Sequence, residues 1–220
     1  MLFCEVCMPR ILPGETDLYA LTDARLSLGR SLETVVDGLL KGGIKIIQYR
    51  EKHMKMGVML EECRMIRART AEAGACFIVD DYVELALLSQ ADGVHIGQED
   101  LPLEEVRRLV GESFIIGVST HSPEQACRAV QGGADYIGVG PVFSTKTKED
   151  VVDPVGLPYV TFVARTLDIP FVAIGGIKEH NIAEVAAAGA RCCALVSELV
   201  GAEDIPAKVR SVRKSMHRQL

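Results

Sequence analysis

Several things that the sequence lacks exclude whole classes of protein. No apolar run in the 220 residues approaches the ~18 residues of a membrane-spanning helix. The first ten residues, MLFCEVCMPR, have neither the basic region nor the long apolar stretch of a signal peptide. No basic stripe stands out, and the net charge is −6, which argues against nucleic acid as a partner. We therefore expect a soluble cytoplasmic protein without a membrane or nucleic-acid partner.

Cysteine and histidine offer no obvious chemistry. Seven cysteines are scattered through apolar segments and are interpreted as reduced core residues. Cys4 and Cys7 form one CxxC pair, but a zinc site needs a second pair, and none is suitably spaced. No Ser-His-Asp or Cys-His arrangement is evident. His95 lies inside an apolar run and is expected to pack or point into the interior, whereas His121 is expected to begin a helix and to cap it or contact a ligand.

What the sequence does contain is an alternation of short apolar runs with segments of helical periodicity. Strands are predicted at Leu18–Thr22, Ile44–Tyr49, Cys76–Val79, Gly93–Ile96, Phe114–Val118, Tyr136–Val139, Phe171–Ile174 and Cys192–Val196. Helices are predicted at Ser31–Lys41, Val58–Ala73, Val83–Ser89, Leu103–Val110, Pro123–Gln131, Leu157–Thr166, Ile182–Ala188 and Ala207–Met216. Eight strand–helix pairs imply parallel strands joined by right-handed crossovers. We expect a (β/α)8 TIM barrel; an open doubly wound sheet is the alternative, but it would leave exposed edges.

The positions of glycine and the absence of a linker agree with one domain over residues 1–220. Gly42-Gly43, Gly74, Gly132-Gly133 and Gly189 each follow a helical segment and precede a strand, where left-handed helix ends are expected. No linker or low-complexity segment divides the chain. Residues 1–17 precede the first strand and are expected to cap the bottom of the barrel. Barrels of this kind often associate, so a homo-oligomer is left open.

Polar residues follow seven consecutive predicted strands, and in such a barrel these positions share one rim, where the chemistry lies. We interpret the rim as a site. Its residues are Gln48, Arg50 and Lys52; Asp80 and Asp81; Gln98, Glu99 and Asp100; Ser119, Thr120 and His121; Ser144, Thr145, Lys146, Thr147 and Lys148; Gly175 and Gly176; and Ser197.

The residue types on this rim suit phosphate and magnesium. Asp81 and Asp100 end neighbouring strands and offer the hard oxygen ligands of Mg²⁺, although either could instead cap the helix that follows. A diphosphate would balance the metal together with Arg50, Lys52 and Lys148. The hydroxyl and ammonium groups of residues 144–148 suit phosphate oxygens, the alternative being a solvated surface loop. Backbone N–H groups of Gly175-Gly176 and Val196-Ser197 suit a second phosphate.

The segments LYALTD, IIQYREK, DDYVELALLSQADGVHIGQEDLP, IIGVSTH, DYIGVGPVFSTKTK, PFVAIGGI and ALVS resemble, in order and spacing, the thiamine-phosphate synthase family over about residues 18–200. The resemblance implies a Mg²⁺-dependent transferase. Such an enzyme joins hydroxymethylpyrimidine diphosphate to thiazole phosphate and releases pyrophosphate by a dissociative mechanism. Rival readings are a thiazole tautomerase relative, another phosphosugar barrel such as an epimerase, and a non-catalytic barrel that binds thiamine precursors.

The resemblance also assigns roles to individual residues. Asp81 and Asp100 match the two Mg²⁺ ligands, and Asp80 stands where the family usually has an asparagine near the diphosphate. The family's residues that bind the pyrimidine diphosphate correspond to Gln48, Arg50, Lys52, Ser119 and Lys148. Of these, Arg50, Lys52 and Lys148 would stabilise the leaving group. The family's residues around the thiazole phosphate correspond to Thr145, Lys146, Thr147, Gly176, Val196 and Ser197.

Overall fold

Eight parallel strands close into a barrel in chain order, with each strand hydrogen-bonded to the next and β8 to β1. The computed structural model describes residues 11–145 and 152–217. Its strands are β1 Leu18–Leu21, β2 Ile46–Tyr49, β3 Cys76–Asp80, β4 Gly93–Ile96, β5 Ile115–Thr120, β6 Tyr136–Val139, β7 Phe171–Ile174 and β8 Cys193–Leu195. The predicted barrel is confirmed, and every predicted strand is present with its ends within two residues of the expected ones.

The helices lie between the strands, at bounds close to the predicted ones. They are α1 Leu32–Lys41, α2 Met56–Ala73, α3 Val83–Leu88, α4 Leu103–Val110, α5 Pro123–Gln131, α6 Gly156–Thr166, α7 Ile182–Ala187, α8 Ser197–Val200 and α9 Ile205–Met216. The four-residue α8 and a 3₁₀ helix at Ala24–Leu26 were not predicted as helices, because neither is long enough to show helical periodicity. Within the described residues, no helix has the length and apolar character needed to cross a membrane.

Alternate residues of each strand face opposite sides of the sheet, and they build two cores. In β1, Leu18 and Ala20 join the large cluster between strands and helices, whereas Tyr19 and Leu21 join a smaller cluster inside the barrel. Ile11 and Leu12 pack against the inner cluster. Residues 1–10, which hold Cys4 and Cys7 and most of the expected cap, lie outside the described residues.

Glycine ends the helices where it was expected to. Gly43, Gly74, Gly133 and Gly189 all have positive φ, the left-handed backbone that a side chain disfavours. Each reverses the chain from a helix into the next strand. This repeated junction brings all eight strands back in the same direction, so their carboxyl ends share one rim.

Candidate active site

A buried cluster of opposite charges occupies the rim at the ends of β1, β2 and β3. The Arg50 guanidinium lies between two buried carboxylates, with Nη1 3.7 Å from Asp23 Oδ2 and Nε 3.6 Å from Asp80 Oδ2. Its backbone N–H donates to Thr22 Oγ1 at 3.1 Å, which anchors the start of the loop after β2. These distances are ion pairs rather than close hydrogen bonds. Within the described residues, Arg50 Nε and Asp23 Oδ2 are buried and have no hydrogen-bond partner.

Lys52 extends this cluster towards solvent. Its Nζ lies 3.6 Å from Asp80 Oδ2, forms an ion pair with Asp81, and stands 5.6 Å from the centre of the Tyr82 ring. Asp80 therefore faces both cations, and it does not cap the following helix. A phosphate group can draw the Arg50 guanidinium from these carboxylates, because it offers the close hydrogen bond that Arg50 Nε lacks within the described residues.

Asp81 and Asp100, the predicted metal ligands, follow the neighbouring strands β3 and β4. Asp81 has a φ of 61°, and its N–H donates to the His95 carbonyl at 2.8 Å. Asp100 is exposed, and its Oδ2 accepts the Gly97 N–H at 2.6 Å. Neither aspartate caps the helix that follows, since neither α3 nor α4 has a side-chain cap.

The donor chemistry of this pair fits a hard divalent cation. Both side chains are carboxylates, and the ammonium of Lys52 beside Asp81 shows that a cation can stand there. In the part of the chain that the structure describes, no three His, Cys, Asp or Glu side chains form a metal-binding group. Magnesium at Asp81 and Asp100 therefore remains a proposal.

The ends of β6 and β7 fold onto each other through their backbones. A cis peptide bond joins Gly140 to Pro141, and the next two N–H groups donate to the carbonyls of Ile174 and Gly175, both at 2.9 Å. Gly176 has a φ of 64°, and a Cβ there would stand 2.6 Å from the Ser144 carbonyl oxygen. Only glycine fits this turn. Thr145 is half-buried beside it, whereas Lys146, Thr147 and Lys148 lie outside the described residues.

Lys178 is a candidate site residue that the sequence interpretation missed. Its Nζ donates to Ser197 Oγ at 2.6 Å and lies 3.4 Å from Glu198. Ser197 is the first residue of α8 and directly follows Val196, as the proposed backbone cradle requires. The loop that carries Lys178 is held by Asn181, whose Nδ2 donates to the Gly176 carbonyl at 3.1 Å. A lysine two positions beyond the Gly-Gly pair was the signal available in the sequence.

His121 does not begin a helix as expected. The helix α5 begins at Pro123, and Ser122 caps it by accepting the Gln125 N–H. The His121 Nδ1 instead lies 2.5 Å from the Gly140 carbonyl oxygen. The predicted bounds Pro123–Gln131 are those of α5, so His121 lies one residue before the N-cap Ser122 and outside the helix.

A chain of hydrogen bonds crosses the barrel interior beneath this rim. Gln48 Nε2 donates to the Tyr19 hydroxyl at 3.0 Å, and the Tyr19 and Tyr136 hydroxyls are 3.0 Å apart. The Tyr136 hydroxyl lies 3.0 Å from His95 Nδ1, and His95 Nε2 lies 2.9 Å from Ser119 Oγ. His95 thus points into the barrel, as the sequence predicted. The chain joins two residues predicted to bind the pyrimidine, Gln48 and Ser119.

The comparisons with known proteins agree with one another. A family model described as thiamine monophosphate synthase matches residues 18–199. The chain is 60% identical over 205 residues to a thiamine-phosphate synthase of Pelotomaculum thermopropionicum, covering 93% of this chain and 94% of the relative. It is 55% identical over 212 residues to that of Lawsonia intracellularis, covering 95% and 98%. A solved thiamine phosphate pyrophosphorylase from Pyrococcus furiosus superposes with a TM-score of 0.83 at 38% identity, covering 91% and 95%.

Proposed function

Since the chain belongs to the thiamine monophosphate synthase family of transferases, we propose that it joins hydroxymethylpyrimidine diphosphate to thiazole phosphate and releases pyrophosphate. The observation that carries the proposal is the paired cluster of Arg50 and Lys52 against Asp23, Asp80 and Asp81. Such a cluster keeps two cations at the rim, ready to exchange carboxylate for diphosphate oxygens.

The two substrates would occupy opposite sides of the rim. The diphosphate lies over Arg50 and Lys52, and the pyrimidine lies between Gln48 and Ser119. The monophosphate is received by backbone N–H groups of Gly176, Val196 and Ser197, with the Lys178 ammonium 2.6 Å from Ser197 Oγ. Thr145, Lys146 and Thr147 are assigned to the thiazole phosphate, and Lys148 to the leaving pyrophosphate. Of these four residues, Lys146, Thr147 and Lys148 lie outside the described residues.

Asp81 and Asp100 would hold Mg²⁺, which supplies neutralisation of the charge on the leaving pyrophosphate. The protein residues supply the rest. Arg50 and Lys52 stabilise that same charge as the bond to the pyrimidine methylene breaks. The aminopyrimidine carries the resulting positive charge, and the thiazole nitrogen attacks it. Neither step uses a protein nucleophile, so the work of the site is positioning and electrostatic stabilisation.

A cytoplasmic location for this reaction is supported by the free thiols of Cys63, Cys127, Cys192 and Cys193. Burial raises the pKa of the Cys63 and Cys193 thiols to about 12, so both stay protonated and unreactive. Reduced, buried cysteines are typical of proteins in a reducing compartment.

The proposal is tested by turnover with both substrates and Mg²⁺, with thiamine phosphate and pyrophosphate measured as products. Lys52→Ala is expected to lower kcat about 100-fold or more, because a group that stabilises the leaving charge is lost. Lys45→Ala is the matched control: Lys45 is exposed, immediately precedes β2 at the opposite end of the barrel, and donates to the Ala73 carbonyl. It should retain wild-type turnover. Absence of product from the unaltered protein, or equal losses in both variants, would contradict the proposal.

A further inference from the structure

The hydrogen-bond chain across the barrel interior has only two self-consistent directions. Each of its hydroxyl and imidazole links holds one proton for one neighbour and accepts from the other. If Gln48 donates to Tyr19, then Tyr19 donates to Tyr136, Tyr136 donates to His95 Nδ1, and His95 Nε2–H donates to Ser119 Oγ. If Gln48 accepts instead, every bond reverses. In the first direction, Gln48 Oε1 and the Ser119 hydroxyl hydrogen are both available to a ligand, whereas in the second direction both are used within the hydrogen-bond chain.

The orientation of the Gln48 amide corresponds to the first direction. Gln48 Nε2 is the donor to Tyr19 at 3.0 Å. This leaves Gln48 Oε1 as an acceptor and the Ser119 hydroxyl hydrogen as a donor, and within the described residues neither makes another hydrogen bond. Burial raises the pKa of both Tyr19 and Tyr136, so both hydroxyls remain protonated at neutral pH and able to donate.

A glycine in β5, Gly117, makes room for the hydrogen-bond chain. Tyr19 and Tyr136 are 1% exposed and His95 is 8% exposed, so water has little access to these groups. A Cβ at Gly117 of β5 would stand 2.2 Å from Tyr136 Cζ and 2.4 Å from His95 Nδ1. The Tyr136–His95 contact thus depends on an inward-facing position that carries no side chain.

Resting on the proposed function, we propose that Tyr19, Tyr136 and His95 are positioning residues that set Gln48 as an acceptor and Ser119 as a donor. A 4-aminopyrimidine complements these ends, because its amino group donates and its ring nitrogens accept. The 4-oxo analogue replaces the amino group by a carbonyl and protonates a ring nitrogen, so it presents the opposite pattern. The chain would thereby select the aminopyrimidine, the ring whose amino group best carries positive charge during the reaction.

The first test reads the tautomer of His95 without substrate. Nitrogen-15 correlation spectra of the histidine rings, with His95 assigned through the His95→Gln variant, should show Nε2 protonated and Nδ1 unprotonated. In Gln48→Glu the carboxylate can only accept from Tyr19, so the chain should reverse and His95 should become the neutral Nδ1–H tautomer. An Nδ1–H tautomer in the unaltered protein would overturn the proposal. In the variant, an unchanged tautomer or a doubly protonated ring would also overturn it.

The second test measures selectivity as the ratio of kcat/KM for the aminopyrimidine diphosphate to that for its 4-oxo analogue. We expect a ratio of about 1,000 or more, because the analogue leaves polar groups of the site mismatched. Tyr136→Phe breaks the chain without touching substrate and should lower the ratio about tenfold or more. The matched control is Tyr49→Phe, which removes the hydroxyl bonded to Glu62 at 2.5 Å in the outer layer, and its ratio should not change.

The outcomes distinguish a failure of the proposal about the hydrogen-bond chain from a failure of the proposed function on which it rests. A folded Tyr136→Phe protein with wild-type selectivity would overturn the proposal, as would an equal loss in Tyr49→Phe. Circular dichroism checks folding, and Tyr19→Phe repeats the measurement from the other side if Tyr136→Phe does not fold. No thiamine phosphate from the unaltered protein would refute the proposed function and its selectivity, whereas the tautomer experiment needs no substrate and still decides the direction of the chain.

Discussion

At the scale of single residues, Asp80 shows how the site tolerates a second carboxylate beside Asp81 at the end of β3. The sequence placed up to three negative charges beside a diphosphate, at Asp80, Asp81 and Asp100, and magnesium was the expected compensation. In the structure, Arg50 and Lys52 also compensate, each 3.6 Å from Asp80 Oδ2. Asp80 therefore holds two cations in place while no anion is bound.

This arrangement predicts the effect of Asp80→Asn. Removing the charge leaves Lys52 attracted to Asp81 alone, so Mg²⁺ must compete harder for that carboxylate. We expect an active enzyme that needs more Mg²⁺ for half-maximal rate, measured by titrating initial rate at saturating substrates. Asp23→Asn is the control, because Asp23 pairs with Arg50 and Arg25 rather than with Lys52, and its titration should match the unaltered protein. Superimposable curves for Asp80→Asn would contradict the account.

Asp100 provides a direct test of the metal proposal. Asp100→Ala removes one of two proposed Mg²⁺ ligands, and turnover should fall about 100-fold or more at limiting Mg²⁺. Glu99→Ala is matched to it, since Glu99 is the adjacent exposed carboxylate and has no assigned role. Turnover of Asp100→Ala close to that of Glu99→Ala would exclude Asp100 as a ligand.

At the scale of elements, the β6 and β7 ends depend on glycine for a reason that differs from helix termination. Gly176 combines positive φ with a close approach: a Cβ would lie 2.6 Å from the Ser144 carbonyl oxygen and 2.8 Å from Phe143 Cβ. Any side chain must push this loop away from the strand end. That movement would displace backbone N–H groups assigned to the thiazole phosphate.

Gly176→Ala should therefore raise KM for the thiazole phosphate about tenfold or more, with a smaller change for the pyrimidine diphosphate. Gly133→Ala is the control that separates backbone strain from displacement of the loop. Gly133 has a φ of 83°, but no atom lies within 4 Å of an added Cβ. It should lower stability by about 1 kcal/mol and leave both KM values unchanged. Equal KM changes for the two substrates in Gly176→Ala would remove this glycine from the monophosphate site.

At the scale of the whole molecule, the last helix is fastened to the first strand. Arg213 of α9 donates to the Asp17 carboxylate at 2.8 Å and to the carbonyls of Gly42 and Gly43. His217 Nε2 lies 3.1 Å from the same carboxylate. Burial by itself raises the pKa of Asp17, but hydrogen bonds from Arg213 and His217 outweigh it, and the net pKa is lowered.

The lowered pKa gives this contact a defined pH dependence. A depressed folded-state pKa stabilises the protein above the unfolded value of about 3.9, and that stability is lost as pH falls through the folded value. Asp17→Asn should lower the free energy of unfolding by about 1 kcal/mol at pH 7, a modest figure because the pair is partly exposed. Denaturant unfolding at several pH values should show the difference shrinking below about pH 4. A difference that is independent of pH would contradict this origin.

The fold could be predicted from the sequence because its information is local. Short apolar runs and helical periodicity lie within single segments, and glycines such as Gly74 and Gly189 mark the turn that joins one helix to the next strand. Eight repeats of this unit permit few closed arrangements. The rim residues could be predicted for the same reason, since a parallel barrel puts every strand's carboxyl end on one side.

The partners within the site could not be predicted, because they depend on how the closed barrel superimposes distant strands. Tyr19 and Tyr136 meet although 117 residues separate them, and Lys178 reaches Ser197 from the neighbouring strand's loop. No local pattern distinguishes a tyrosine that joins a hydrogen-bond chain from one that only fills the interior. Whether a tyrosine joins the hydrogen-bond chain depends on the strand register, on its inward direction and on the missing side chain at Gly117. All three are properties of the assembled barrel.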